Sequence, residues 1–124
     1  MAKKFKIAQN PTFKADVNIP IVGGEDIKVG FTFKYLTRKE LAEMYDKWSK
    51  MAEGMKFEDV TLLELTEQEM NLQKAQIKDI VVGWEYEDEF NDENIEALVD
   101  VSVNIVKSIT DAYQESYHSA KKGN

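Results

Sequence analysis

The segment from Asp79 to Ile95 constrains this chain most, because a helix end, a glycine, a tryptophan and a helix start follow one another with little between them. It reads Asp79-Ile80-Val81-Val82-Gly83-Trp84, then the acidic Glu85-Tyr86-Glu87-Asp88-Glu89-Phe90, then Asn91-Asp92-Glu93-Asn94-Ile95. An apolar run closing on glycine marks a helix stop. An asparagine ahead of Asp and Glu marks a start, since its side chain accepts from the first free amides and the carboxylates face the positive helix end. The expectation is two amphipathic helices joined by an elbow. The first runs to Gly83, the glycine turn throws Trp84 outward, and a solvated acidic loop leads to the second.

Upstream the apolar period is two. Phe13, Ala15, Val17 and Ile19 fall on one side, with Lys14, Asp16 and Asn18 on the other; after Val22-Gly23-Gly24-Glu25-Asp26, the residues Ile27, Val29, Phe31, Phe33 and Tyr35 share a side. Two alternating runs around a Gly-Gly turn predict a β-hairpin. A lone hairpin is marginal in water, so its apolar face has to rest on the downstream chain.

Beyond the hairpin the apolar period becomes helical. Thr37-Arg38-Lys39-Glu40 is a capping box, Leu41, Met44, Tyr45, Trp48 and Met51 or Ala52 come at helical spacing, and Gly54 is the stop. Residues 57–65, with Val60, Leu62, Leu63 and Leu65, suit a short helix or a buried extended connection equally well. Thr66-Glu67-Gln68-Glu69 repeats the capping chemistry and predicts a helix with Met70, Gln73, Ile77, Ile80 and Val81 along one side. After Asn91 a helix shows Ile95, Leu98 and Val99. A last one, from near Ser102, turns Ile105, Val106, Ile109, Ala112 and Tyr113 inward. The sum is an α+β fold, mainly α: an N-terminal β-hairpin packed on a bundle of three to four or more helices. One domain is expected over residues 1–120, with a basic arm and hairpin over 1–36 and the helical part over 37–118. Residues 119–124 carry no apolar anchor and are expected to be a disordered tail.

With no cysteine, disulfide and thiolate chemistry are excluded. Met1-Ala2-Lys3-Lys4-Phe5-Lys6 has no apolar run behind it, so no secretory signal is expected, and no stretch approaches the ~20 apolar residues of a membrane span. The net charge of −7 is unevenly spread. Residues 1–34 hold six lysines against Asp16, Glu25 and Asp26, giving +3, whereas residues 35–124 hold ten basic and twenty acidic side chains, giving −10. Such a body disfavours nucleic acid, whose binding depends on clustered Lys and Arg. It keeps the protein soluble, and it also allows a basic end of one copy to meet the acidic flank of another in a contact that repeats.

No catalytic, cofactor or metal constellation emerges. His118 is the only histidine, so neither a zinc site nor a Cys-His pair can be assembled. The acidic run invites a calcium reading, but an EF-hand loop needs a glycine at its sixth position and none lies between Gly83 and Gly123. Gly23-Gly24 lacks the following lysine and hydroxyl residue of a phosphate loop. Binding is left. Large adaptable side chains such as Met44, Met70, Trp48, Tyr86 and Tyr113 are expected in the core, as stripes at helical spacing usually are. Val81, Val82 and Trp84 at the elbow and Leu62 and Leu63 in the connector are the candidate protein contacts, and Lys3, Lys4 and Lys6 the candidates for self-association.

The elements Ile80 to Trp84, Phe90 to Asn94 and Ala112-Tyr113, with the helix entry Phe31-Thr32-Phe33-Lys34-Tyr35-Leu36-Thr37-Arg38, resemble in order and spacing the tail assembly chaperones of long-tailed bacteriophages. The resemblance covers about residues 30–117. It departs at one point: the family pattern implies a proline opening the last helix, where this chain has Val103 after Ser102. The resemblance implies a non-enzymatic protein of the infected host's cytoplasm, not part of the mature virion, that coats the tape measure protein until tail tube subunits polymerise around it. It also implies self-association into a spiral or ring, and a longer product made by ribosomal frameshifting, for which the codons of Lys121-Lys122 are the place to look. The rival reading is an acidic interaction module, for example an inhibitor mimicking nucleic acid.

Overall fold

Of the 124 residues, the computed structural model describes Lys4 and residues 11–121, the last three of these by backbone alone. Strands β1 (Thr12–Ile19) and β2 (Ile27–Lys34) pair antiparallel, with Phe13 opposite Phe33 and Val17 opposite Val29. Val17, Ile19, Val29, Phe31 and Phe33 are buried while Lys14, Asp16, Asn18 and Lys28 face solvent, as the alternation predicts. In the connection Gly23 takes φ +74°, a conformation glycine adopts without steric cost. Four helices come after the hairpin: α1 (Arg38–Glu53), α2 (Leu62–Ile80), α3 (Asp92–Val101) and α4 (Val103–Lys121). The capping box at Thr37 and Glu40 forms in both directions, and Asn91 accepts from the Asn94 amide at 2.8 Å to open α3.

The elbow is not a turn. Helix α2 stops at Ile80, before Gly83, and Val81–Trp84 forms a third strand, β3, so the sheet order is β1-β2-β3. Phe31 lies opposite Trp84 and Phe33 opposite Val81, with a register shift between Thr32 and Phe33. The Glu85 amide continues the ladder by donating to the Gly30 carbonyl at 2.9 Å. The reason is long-range: β2 offers a second edge of amides and carbonyls, and the β-branched Val81 and Val82 suit an extended strand that satisfies them.

Two further boundaries differ from expectation. Helix α2 is capped by Thr61, whose hydroxyl accepts from the Glu64 amide at 3.1 Å; Thr66 lies inside the helix and turns its hydroxyl onto the Leu62 carbonyl at 2.8 Å. Thr61-Leu62-Leu63-Glu64 is itself a cap pattern one turn upstream, and nothing after it stops the helix. Helix α4 continues to Lys121, past the expected end at 118, and residues 122–124 of the expected tail lie outside the described residues. At the break between α3 and α4, Ser102 is extended and its hydroxyl accepts from the Asn104 amide at 3.1 Å, so a serine cap starts α4 without proline.

One core joins these layers. Helix α4 lies across β1, where the rings of Phe13 and Tyr113 stack at 5.8 Å and those of Tyr35 and Tyr117 at 4.8 Å. The Tyr117 hydroxyl donates to the Leu36 carbonyl at 2.8 Å, tying α4 to the end of the hairpin. Phe31, Phe33, Ile77, Ile80 and Ile109 are fully buried between sheet and helices, each contributing about 1.5–3 kcal/mol. Antiparallel α2 and α3 are bridged by Lys74–Glu96 and Lys78–Asp92, exposed pairs of about 0–1 kcal/mol each. Helices α1 and α2 are clamped by Asp79, which accepts from the Trp48 indole N–H and from Lys47, both at 2.8 Å.

Candidate protein-interaction surfaces

Helices α1 and α2 form a hairpin whose closed end projects from the core. No residue of α2 before Ile77 is buried. The connection is held by Gln68, whose side-chain oxygen accepts from the Lys56 amide at 2.7 Å and whose nitrogen donates to the Lys56 carbonyl at 2.9 Å. Asp59 at φ 56° turns the chain into the Thr61 cap. These contacts leave Phe57 67% exposed, Leu62 79% and Leu63 67%. A helix's first turn has no earlier turn to lie against, so Leu62 and Leu63 point into water. Around them Glu53, Glu58, Asp59, Glu64 and Glu67 are exposed and enter no ion pair among the described residues. The result is an apolar knob in a mainly acidic stretch, with Lys56 its one cation.

A second apolar feature is concave. Trp84, Tyr86, Leu98 and Val101 line an open groove of about 210 Å³ between the end of β3 and α3, completed by Asp88, Asn94 and Ala97. Trp84 is fixed there: its indole N–H donates to the Asp88 carbonyl at 2.8 Å, and its ring meets Phe90 and Tyr86 edge-on at 4.9 and 5.2 Å. Asn94 donates to the Glu89 carbonyl at 2.8 Å, so the acidic loop is pinned to α3. Burial pushes the Tyr86 phenol above its usual range, and its buried hydroxyl has no hydrogen-bond partner. Val101, 64% exposed, forms the lip.

The candidate contact residues are therefore dispersed. Leu62 and Leu63 lie on the knob. Val81 is a core residue, because as the first residue of β3 it pairs with Phe33 and faces inward; Val82, 40% exposed, takes the opposite face. Trp84 is half-buried as a wall of the groove and is not thrown outward. Lys4 is exposed, and Lys3 and Lys6 lie outside the described residues. Phe57, exposed on the knob, and Tyr86, Leu98 and Val101, which line the groove, are candidates that sequence reasoning misses. Phe57 carries a signal: a large aromatic just after the Gly54 stop, followed at once by Glu58 and Asp59.

His118 is exposed on α4, and among the described residues no three His, Cys, Asp or Glu side chains are placed to hold a metal ion. No helix among the described residues is long and apolar enough to cross a membrane.

The model of one protein family, described as phage tail assembly chaperone, matches residues 1–124. No curated protein and no solved structure matches the chain. Full-length agreement with that family, on a fold whose exposed features are an apolar knob and an apolar groove, identifies the chain as belonging to the phage tail assembly chaperones, with a chaperone role in tail assembly.

Proposed function

We propose that the protein keeps the tape measure protein of its phage soluble until tail tube subunits enclose it, working in the host cytoplasm as a spiral or ring of copies and leaving before the virion is complete. The observation that carries this reading is the knob of Phe57, Leu62 and Leu63, each about two-thirds or more exposed at the end of a helical hairpin. Large apolar side chains held in water among charged ones mark a protein-contact surface. A tape measure protein presents apolar helical stripes over a great length, and a projecting pair of leucines fits such a stripe as one helix face fits another. The carboxylates of the same stretch then face water and keep the complex dispersed. One knob covers little, so many copies side by side are needed for useful affinity.

Co-expression tests it. The tape measure protein is produced alone, with this protein, and with the Leu62→Asp and Leu63→Asp double variant, and its soluble fraction is measured. The wild type raises that fraction and the double variant does not, while the variant's own stability stays within about 0.5 kcal/mol of wild type because both sites are exposed. Equal protection by the two proteins would overturn the assignment of the knob.

A further inference from the structure

We infer that the groove beside Trp84 is the receptor for the basic arm of a second copy, with Phe5 seated between Trp84, Tyr86, Leu98 and Val101. The inference rests on the self-association included in the function proposed above, and it names the contact.

Shape and charge select this occupant. Asp88 lines the groove, Glu87 and Glu89 flank it in the same loop, and Asp100 precedes the lip; all four are exposed and in no ion pair among the described residues. A ligand docking there has to bring an apolar side chain among cations. Lys3-Lys4-Phe5-Lys6 is such a segment, and it belongs to the only third of the chain with a positive balance. The knob of a neighbour does not qualify, because its own rim of Glu58, Asp59 and Glu64 would face the groove's carboxylates. A dry apolar cavity of roughly 150 Å³ takes benzene, so a groove of about 210 Å³ admits one phenyl ring.

Reach selects the second copy. The arm enters β1 at Thr12, opposite Lys34, whereas Trp84 pairs with Phe31 on the other edge of the sheet. Two strand spacings and three residues of rise put roughly 14 Å between Thr12 and Trp84. Seven residues span at most ~24 Å, but the direct line on the inner face is filled by α4 and the core. The way over the outer face has to cross both other strands and then fold round the β3 edge to come back to the groove. A neighbouring molecule meets none of these constraints. Arm into groove is a heterologous contact, so repetition gives an open chain or spiral, or a ring if the rotation closes.

Sedimentation velocity of the full chain over a range of concentrations tests the contact, with two variants. Phe5→Ala removes the ring, and Val101→Lys places a cation on the exposed lip, at a helix C-terminus where it is tolerated. Wild type associates with rising concentration, more strongly at low than at high salt. Each variant alone loses at least about tenfold in association, the loss for one buried aromatic anchor. Mixed together they form a one-to-one dimer, the intact arm of Val101→Lys filling the intact groove of Phe5→Ala. Variants that associate like wild type would overturn the arm-groove contact and leave self-association standing. Monomeric variants that fail to complement would mean that each arm fills its own groove, which also overturns it. A wild type that stays monomeric throughout removes both the contact and the oligomer of the proposed function. Protection of the tape measure protein, scored separately with the knob variants, reports on the client surface alone.

Discussion

Asp79→Ala probes the joint on which the placement of the knob depends. Asp79 precedes the last residue of α2, where the chain passes into β3, and its carboxylate holds the α1 residues Trp48 and Lys47, both at 2.8 Å. The indole N–H to carboxylate bond contributes about 1.5–3 kcal/mol, because its acceptor is charged. The half-exposed Lys47 adds only about 0.2–1 kcal/mol. Against these stands the carboxylate's position in the last turn of α2, at the negative end of the helix, an unfavourable placement of about 0.3–1 kcal/mol that alanine relieves. The indole bond wins, and the net loss is about 2 kcal/mol. For 124 residues the unfolding entropy is on the order of 260 cal/mol/K, so the melting temperature drops by about 8 °C. Lys47→Ala lowers it by only ~1–4 °C, the range set by an exposed ion pair. The assay is calorimetry on the single variants and on the cycle combining Asp79→Ala with Trp48→Phe, which isolates the indole bond as a coupling of about 1.5–3 kcal/mol. A coupling below ~0.3 kcal/mol would refute the clamp.

Thr61→Ala lowers stability by about 1 kcal/mol through loss of the α2 cap, while Thr66→Ala stays within about 0.5 kcal/mol of wild type; denaturant titration giving the reverse order would put the start of α2 at Thr66. Tyr117→Phe loses about 1 kcal/mol with its bond to the Leu36 carbonyl, whereas Tyr113→Phe is neutral or stabilising, because the buried Tyr113 hydroxyl has no partner. Burial raises both phenols above their unfolded value. Their contribution is therefore complete below pH about 10 and falls as pH rises beyond it, where only the unfolded chain ionises freely. Melting temperatures measured through that alkaline range should decline, and less steeply for Tyr113→Phe.

The parts of the fold that were legible are those decided locally. The β1–β2 pairing follows from alternation on both sides of one turn, and the Thr37 and Asn91 caps follow from side chains that reach amides three residues away. Strand β3 was not legible, because Ile80-Val81-Val82 continues the apolar face of α2 as well as it starts a strand. The choice is made by the free edge of β2, which lies about fifty residues upstream. That ambiguity carried Val81 to the surface and Trp84 off its groove. The exposure of Leu62 and Leu63 was legible only as ambiguity, since an apolar pair in a helix's first turn is buried or bare according to how far the helix projects beyond its neighbours. The groove needed α3 folded back along α2, which brings Leu98 and Val101 to Trp84 and Tyr86.

Site-specific photo-cross-linking decides whether the knob is what touches the tape measure protein. A benzophenone side chain is placed at Leu63 on the knob or at Lys28 on the outer sheet face, and each protein is irradiated in complex with the co-expressed tape measure protein. Adducts from position 63 should map to apolar helical stretches of the tape measure protein, with few from position 28. A complex that forms without adducts at position 63, or with equal yields from both positions, would contradict a knob that covers the client.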